Sequence, residues 1–495
     1  MKRYLLFRII RSIVSIFLVT TLTYAVIYSL VPRKTIFAND VNYGKLKAKP
    51  DELAEYENTA FSKMGYIEYY NSKKLKNAAL STKEKNTELS STETAEKYQE
   101  WAEQNGWTLK RFPISKNYYA VKDVPLLKRV VNFYADMIQV DHPWRVKDAS
   151  NPDLKRYLKI EKDELAGWAL VGSGTKYKYQ IYFNGQFPYI HQNIFHLNLG
   201  TSYPTFAGQD VTTIVSGGQG KGDTVETKFE NGTTARSSAD IYSRQYQKTS
   251  NISTRDKKFY SDNYTITDSN FKDPSMMGTS FRMGVVAVLI AYAIGIPSAM
   301  LMARYKGKLP DKIGIGLVTV LISVPSLAFI YFFRFIGSSW FDLPDSFPTL
   351  GAESIRSYIL PTVILGLLSV SGIVIWLRRY MIDQQSSDYV KFAKAKGLST
   401  REIARKHIFK NAAIPIVNGI PGSIIGAIAG ATITETVFAA PGMGKMLPDA
   451  IIAHNNPLVI AIVFVFTTVS VFSILFGDIA MALVDPRIKL SSGGK

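Results

Sequence analysis

The chain has 495 residues, of which 46% are hydrophobic, and its 59 Lys and Arg against 40 Asp and Glu give a formal net charge of +19. It contains no cysteine, so disulfide bonds and thiolate metal sites are excluded. The basic excess indicates either a nucleic-acid-binding protein or the excess of Lys and Arg found in the cytoplasmic loops of membrane proteins.

The distribution of the charges decides between these two classes. Residues 34–273 hold 34 basic and 29 acidic residues, so this long polar segment is only mildly basic. The other 25 basic residues lie in short segments beside apolar stretches, where only 11 acidic residues occur. This pattern predicts a membrane protein that has membrane lipid, and no nucleic acid, as a partner.

Six apolar segments are long enough to cross a bilayer, which takes about 20 residues in a helix. They are residues 9–31, 277–303, 313–337, 358–377, 416–439 and 457–483. Four basic residues lie before or at the start of the first segment, and no A-x-A cleavage site follows it. It is therefore predicted to be a retained helix rather than a cleaved signal peptide.

The loops between these segments predict how the chain crosses the membrane. Basic residues are abundant at 304–312, at 378–410 and after the last segment, whereas 337–357 and 440–456 contain one each. Since basic loops stay in the cytoplasm, both termini are predicted to lie inside the cell. The predicted divisions are an N-terminus with helix 1 (1–32), an extracytoplasmic domain (33–276), helices 2–6 (277–484) and a cytoplasmic tail (485–495).

The long segment 33–276 is large enough to bury a core of its own. Its first half is charged and helical in pattern, and its second half alternates aromatic and β-branched residues between glycines, which predicts an α+β domain. The predicted fold class is thus an all-α polytopic membrane protein with six transmembrane helices and a large α+β insertion between helices 1 and 2. The absence of cysteine from so large an external domain favours a Gram-positive source.

No pattern in the chain predicts a catalytic or metal site. His191 and His196 are five residues apart without a neighbouring carboxylate, so packing is favoured over metal binding. No H-E-x-x-H or G-x-S-x-G motif lies in an apolar segment. The chain is therefore predicted to be no enzyme and to hold neither cofactor nor metal.

The cytoplasmic loop 378–414 contains the most informative pattern. Residues 388–396 are predicted to form a short helix that ends at Gly397, and a capping box at Ser399 and Glu402 predicts a second helix. Helical spacing predicts that four side chains of the first helix share one face: Tyr389, Phe392, Ala393 and Lys396. Such a helix either lies on anionic lipid or docks into a partner, and the residues alone leave both alternatives open.

The segment Ala393-Lys-Ala-Lys-Gly-Leu398, followed by His407, Asn411 and Pro415, resembles the coupling loop of ABC importer permeases of the oligopeptide/dipeptide class. Residues 4–32, 435–444 and 478–488 resemble the same class, and the long outer insertion resembles that of its Ami-type members. The resemblance implies a fold like that of type I ABC importers. It also implies contacts with an ATPase from seven residues: Tyr389, Phe392, Ala393, Ala395, Lys396, Gly397 and Leu398.

The resemblance further implies the function, a permease subunit of an ATP-driven oligopeptide importer in the cell membrane. The implied partners are a second permease that shares the translocation pathway, two ATPase subunits that bind ATP and magnesium, an extracellular lipid-anchored peptide-binding protein, and the peptide. A mechanotransmitting or receptor-type membrane protein with a large extracellular domain is the alternative, and six spans argue against it.

Residues within the spans suggest further roles. Gly422, Gly426 and Gly430 are four residues apart, so they share one helix face and are predicted to let another helix pack closely, either statically or as a moving contact. Arg334 and Glu435 are ionisable residues near the outer ends of their helices. They are predicted either to line the transport pathway or to pair and hold the fold, with the structural role favoured.

Overall fold

The computed structural model describes residues 2–80, 91–163, 165–183, 190–216, 225–228, 232–237, 244–266, 276–351 and 354–484. The predicted cytoplasmic tail lies outside the described residues. The helices are α1 (Lys2–Leu30), α2 (Val41–Leu46), α3 (Pro50–Lys63), α4 (Ser72–Ala79), α5 (Ser91–Asn105), α6 (Leu126–Ala135), α7 (Val211–Ser216), α8 (Thr254–Phe259), α9 (Met276–Arg304), α10 (Leu309–Ser323), α11 (Ser326–Phe341), α12 (Arg356–Gln385), α13 (Asp388–Ala395), α14 (Thr400–Glu402), α15 (Lys410–Ala412), α16 (Ile414–Phe438), α17 (Met443–Ile452) and α18 (Asn456–Val484).

Five of the described helices are long and apolar enough to cross a membrane, namely α1, α9, α12, α16 and α18. The third predicted span is not one straight helix, because α10 and α11 meet at an angle of 108°. Val324 is extended (ψ 126°) and Pro325 caps α11, as expected where proline removes a backbone donor and forces the preceding residue out of the helical region. The predicted count of six holds if this bent pair is one span.

Small residues let the spanning helices approach closely. A Cβ atom built on Gly366 of α12 would lie 2.9 Å from the carbonyl oxygen of Ala287 in α9. Gly284 of α9 meets Ile428 of α16 at the same short distance. These contacts bring α9, α12 and α16 together, and α18 packs against α16 and α1.

The predicted glycine face of α16 does not take part in this packing within the chain, so a close helix contact there stays a prediction. No atom lies within 4 Å of a Cβ built on Gly422 or Gly426, and the surroundings of Gly430 are outside what the structure describes. The spacing of the glycines is helical, but no described helix of the same chain lies over Gly422 or Gly426. Close glycine packing occurs on α9 and α12 instead.

The insertion between α1 and α9 is an α+β domain, as predicted. Its strands are β1 (Ile67–Tyr70), β2 (Thr108–Arg111), β3 (Tyr118–Asp123), β4 (Ile138–Val140), β5 (Tyr157–Asp163), β6 (Gly167–Ser173), β7 (Tyr179–Tyr182), β8 (His191–Gln192), β9 (Phe195–Leu197), β10 (Val225–Lys228), β11 (Thr234–Ser237), β12 (Arg244–Tyr246) and β13 (Tyr264–Ile266). All described pairings are antiparallel, in a three-stranded sheet (β1-β3-β2), a four-stranded sheet (β5-β6-β7-β8) and three two-stranded pairs.

The domain is bonded to the spanning helices. Just before α18, Asn455 donates through its amide to the hydroxyls of Ser202 and Thr205, at 2.7 Å each. The next residue, Asn456, donates to the Tyr66 hydroxyl at 3.2 Å. These buried polar contacts fix the domain on the ends of the spans, so it is not a separable appendage.

An acidic residue anchors the loop that carries Ser202. Asp40 accepts hydrogen bonds from the hydroxyls of Tyr203 (2.5 Å) and Tyr56 (2.7 Å). Burial raises the pKa of Asp40, but these hydrogen bonds outweigh it and hold the pKa below its ordinary value. The start of the domain is thereby tied to the loop that meets α18.

The close approach of α9 and α12 yields a test. We expect Gly366→Val to lower the free energy of unfolding of the purified chain by about 1–3 kcal/mol, since the added methyls have no room between the helices. Gly372→Val is the matched control on the same helix, because nothing lies within 4 Å of a Cβ at that position. Equal thermal midpoints for the two variants in detergent would contradict this account of the packing.

Candidate coupling site

The predicted coupling helix exists as α13 and follows α12 after a two-residue break. Val390 and Ala393 are 1% and 5% exposed, respectively. They belong to a cluster of buried side chains contributed by the inner ends of α9 and α12, including Met302, Leu377 and Met381. One face of α13 is therefore part of the core of the chain itself.

The opposite face of α13 is open. Phe392 is 70% exposed, and Lys394, Ala395, Lys396 and Gly397 are exposed as well. Tyr389 and Leu398 are half-buried at the edge, where the Tyr389 hydroxyl donates to Gln384 at 2.6 Å. The structure thus presents an aromatic side chain surrounded by lysines on the surface of this loop.

The predicted common face of Tyr389, Phe392, Ala393 and Lys396 is wrong. Successive residues of a helix are about 100° apart around its axis, so the side chains of Phe392 and Ala393 point in different directions. In the structure Ala393 is buried and Phe392 is exposed. Val390 determines which of the two residues is buried. It packs into the core one turn from Ala393, and Phe392 therefore faces outward. Ala393 anchors the helix and cannot belong to the same exposed surface as Phe392. A coupling role for the segment stays a prediction.

The end of α13 depends on Gly397. Its φ of +77° is in the left-handed region, and the amide of Leu398 donates back to the carbonyl of Ala393 at 3.3 Å. A glycine in this conformation ends a helix without the strain that a Cβ brings. The sequence identified this stop correctly.

The second helix of the loop begins as predicted at Ser399, whose hydroxyl accepts from the Glu402 amide at 3.3 Å. The carboxylate of Glu402 accepts from Lys406 at 2.8 Å. This hydrogen bond and charge hold the pKa of Glu402 below its ordinary value. A π-helix then runs over Ile403–Phe409 and joins α14 to α15, with Ile403 and Ile408 buried in the cluster that holds α13. Its i, i+5 bonding brings residues five apart to one side.

An ion pair beside α13 was missed by the sequence analysis. Asp311, at the start of α10, is 1% exposed and accepts from Arg378 of α12 at 2.7 and 2.8 Å. It also accepts from the amide of Gly307 at 2.8 Å. Asp311 is the sole acidic residue in the basic loop 304–312, a signal that could have singled it out. The pair fixes the α9–α10 turn to the helix from which α13 extends.

The two outer residues lie in separate environments. Glu435 is fully buried, where it accepts from the Ser280 hydroxyl at 2.5 Å and from the Lys445 amide at 2.8 Å. Arg334 donates to the carbonyl of Val437 at 3.1 Å and to Asp345 at 3.3 Å. Glu435 is enclosed by its own chain in this conformation. A role in holding the fold therefore suits Glu435 better than a role in lining the transport pathway. The described bonds do not pair it with Arg334.

The part of the chain that the structure describes contains no cluster of three or more His, Asp and Glu side chains with the geometry of a metal site. The residues described above lie in the packed interior or on the exposed surface of the loop. They contribute charge, aromatic surface and helix contacts.

Part of the chain matches a known protein family. Residues 295–490 match the family described as binding-protein-dependent transport system inner membrane component. The chain is 33% identical to the dipeptide transport system permease protein DppB of Lactococcus lactis, over 43% of this chain and 69% of that one. It is 32% identical to the glutathione transport system permease protein GsiC of Salmonella typhimurium, over 41% and 64% of the two chains.

A further relative matches from end to end. The oligopeptide transport system permease protein AmiC of Streptococcus pneumoniae is 51% identical, with 100% of each chain covered. The chain therefore belongs to the permeases of binding-protein-dependent ABC importers, in the class that contains these oligopeptide and dipeptide permeases, and it is a multi-pass membrane protein. The predicted family and fold class are confirmed. The outer domain lies outside the matched family region and is shared with the full-length relative.

The ion pair between Asp311 and Arg378 yields a test of the inner end. We expect Asp311→Ala to lower the free energy of unfolding by about 3 kcal/mol, because it leaves the guanidinium of Arg378 half-buried without its partner. Asp388→Ala is the matched control, since its ion pair with Lys391 is exposed on both sides and is worth less than about 1 kcal/mol. Unfolding of both variants in detergent measures the difference, and equal losses would contradict the assigned role.

Proposed function

We propose that this chain is a transmembrane permease subunit of an ATP-driven oligopeptide importer. The observation that carries the proposal is the 51% identity, over the whole of both chains, to a protein named as an oligopeptide permease. A relative of that similarity with the same outer domain supports the same substrate class. Dipeptide and glutathione permeases among the more distant relatives transport small peptides too, according to their names.

The proposed assembly contains a second permease, two ATPase subunits and an extracellular lipid-anchored peptide-binding protein. ATP and magnesium belong to the ATPase subunits in this proposal, and the present chain needs no cofactor of its own. The family description, which specifies binding-protein-dependent transport, supports the receptor. The uncovered glycine face of α16, around Gly422 and Gly426, supports a second permease because it has room for a helix from another chain.

Both termini are proposed to lie in the cytoplasm, with residues 33–276 outside the cell. The basic loops support this orientation, since the segment that contains α13 holds nine Lys and Arg. The same orientation brings α13 to the side where ATP is available.

Coupling is proposed to run through α13. Phe392 enters a cleft of the ATPase subunit, and the surrounding lysines contact its acidic rim. Because Val390 and Ala393 are buried against α9 and α12, a displacement of α13 moves the inner ends of both helices with it. The spans then rock between outward-open and inward-open states, an equilibrium biased by ATP binding in the partner.

Substitution of Phe392 separates docking from folding. We expect Phe392→Glu to reduce peptide-stimulated ATP hydrolysis of the reconstituted complex by roughly tenfold or more, because it places a charge where an aromatic residue inserts. Membrane insertion should be unchanged, since the side chain is 70% exposed in the chain itself. Phe392→Leu is the matched control and should keep most of the stimulation. Normal stimulation in Phe392→Glu would count decisively against a coupling role.

The outer domain is proposed to receive the peptide-binding protein. Two exposed apolar faces support this role. On the β4–β9 pair, the register places Ile138 opposite Leu197 and Val140 opposite Phe195, and all four side chains are exposed. On β5 and β6, Ile160 and Trp168 are 74% and 63% exposed. Exposed apolar patches of this kind mark interaction surfaces.

Charge substitutions on these faces test the proposal. We expect Val140→Asp with Phe195→Asp, or Ile160→Asp with Trp168→Asp, to weaken capture of the purified peptide-binding protein by the complex in nanodiscs by roughly tenfold or more. Ile114→Asp is the control, because Ile114 is a similarly exposed apolar residue elsewhere on the domain. Unchanged capture with both double variants would refute the docking role. Deletion of the whole domain is a poor test, since it also removes the partners of Asn455 and Asn456.

A further inference from the structure

A buried arginine that forms no ion pair with the described residues lies where the outer domain meets two spans. Arg129 of α6 is 5% exposed, and its Nε and Nη2 atoms are buried with no hydrogen-bond partner among the described residues. No described carboxylate forms an ion pair with it. A buried cation is normally paired, because removal of its hydration is costly unless an anion or hydrogen-bond acceptors replace the water.

Aromatic rings surround the guanidinium and partly compensate this charge. Its central carbon lies 4.1 Å from the ring centre of Tyr28, 4.3 Å from that of Tyr66 and 5.8 Å from that of Tyr24. Cation–π contacts stabilise the charge, but they leave the N–H groups at the edge of the guanidinium without acceptors. Arg33 also contacts the ring of Tyr66, but unlike Arg129 it forms an ion pair, with Asp123.

Arg129 faces a partly open pocket of about 170 Å³. Lys63 and the side-chain amides of Asn132 and Asn198 line the same pocket, so further donors accompany the guanidinium. Asp136 is the one carboxylate in the lining, and it is exposed and two turns along α6 from Arg129. Apolar side chains, Phe133 and Ile460 among them, form the remaining wall. The donors and the net positive charge of this lining suit an anion.

The position of the pocket indicates which anion. Tyr24 and Tyr28 lie in the last turns of α1, and Pro457 and Ile460 lie in the first turns of α18. The ends of two spans mark the level of the lipid headgroups, where phosphate is the abundant anion. The planar fork of arginine matches phosphate oxygens with two parallel hydrogen bonds, and an apolar wall beside it accommodates the upper part of an acyl chain.

We propose that this pocket binds a phosphate-bearing anion through Arg129, as the headgroup of an anionic membrane lipid or as free phosphate. The bound anion completes the junction between α6, α1 and α18, and thereby stabilises the outer domain on the spans. The lining of this pocket contains no residue of the coupling helix α13, and binding of the anion does not depend on the substrate of the importer.

The test uses the full chain in nanodiscs of phosphatidylcholine, with or without phosphatidylglycerol, and in phosphatidylcholine with added inorganic phosphate. The wild type is compared with Arg129→Gln and with Lys128→Gln. Lys128→Gln is the matched control, because it removes the same charge from the adjacent residue, whose exposed ion pair is with Glu68. Native mass spectrometry measures retained lipid, and the thermal midpoint reports stabilisation by either anion.

We expect wild type and Lys128→Gln to retain phosphatidylglycerol and to unfold at a higher temperature with it, whereas Arg129→Gln retains it roughly tenfold less well. Stabilisation by inorganic phosphate in phosphatidylcholine alone would identify free phosphate as the ligand. The proposal is overturned if neither anion stabilises the wild type, or if Lys128→Gln loses the response as fully as Arg129→Gln.

A second variant covers the case in which Arg129→Gln does not fold. Arg129→Lys keeps the positive charge among the tyrosines but lacks the planar fork, so we expect a folded chain with weaker retention of the anion. Retention equal to that of wild type would overturn the assignment of Arg129 as the phosphate ligand.

Discussion

The burial of one face of α13 against α9 and α12 is the contact on which the functional interpretation depends. A short helix that merely lay on the membrane surface would move without consequence for the spans. Val390 and Ala393 instead share a core with the inner ends of two spanning helices, and the nearby pair of Asp311 and Arg378 fixes the turn before α10. Interiors of this kind are close-packed, so a displacement at α13 is transmitted to the spans and not absorbed between them.

Polar contacts join the insertion to the spanning helices, beside a buried apolar cluster that the insertion shares with α17 and α18. Glu435 holds the segment around Lys445 by a buried hydrogen bond, and Asn455 and Asn456 bond the outer domain to the start of α18. Buried polar groups stabilise only when their partners are in place, which makes these junctions specific in geometry. Arg129 is the exception within the same region, and the absence of an ion pair with the described residues is the reason for assigning an anion to that pocket.

The sequence predicted the ends of the short helices in the loop correctly but grouped the side chains of the first helix incorrectly, and its coupling role stays a prediction. Gly397 ends the helix and Ser399 starts the next one, and both signals are local, because they depend on the conformation of one residue and its immediate neighbours. The assignment of Ala393 to the same face as Phe392 failed because spacing gives the relative directions of side chains without giving the direction of the core. The glycines of α16 also have helical spacing, but no atom of this chain lies within 4 Å of a Cβ built on Gly422 or Gly426, so their packing against another helix stays a prediction.

The sequence by itself determined the number of apolar segments, the mildly basic insertion, the basic loops between the spans and the family, since these follow from composition and local motifs. Only the tertiary structure decided that Pro325 breaks the third segment at 108°, that Phe392 faces outward, that Glu435 is enclosed and that Arg129 forms no ion pair with the described residues. The bend at Pro325 is a local effect of proline, whereas the other three features depend on residues far apart in the chain. Local spacing determines what a helix can present, whereas long-range packing determines what each of its faces contacts.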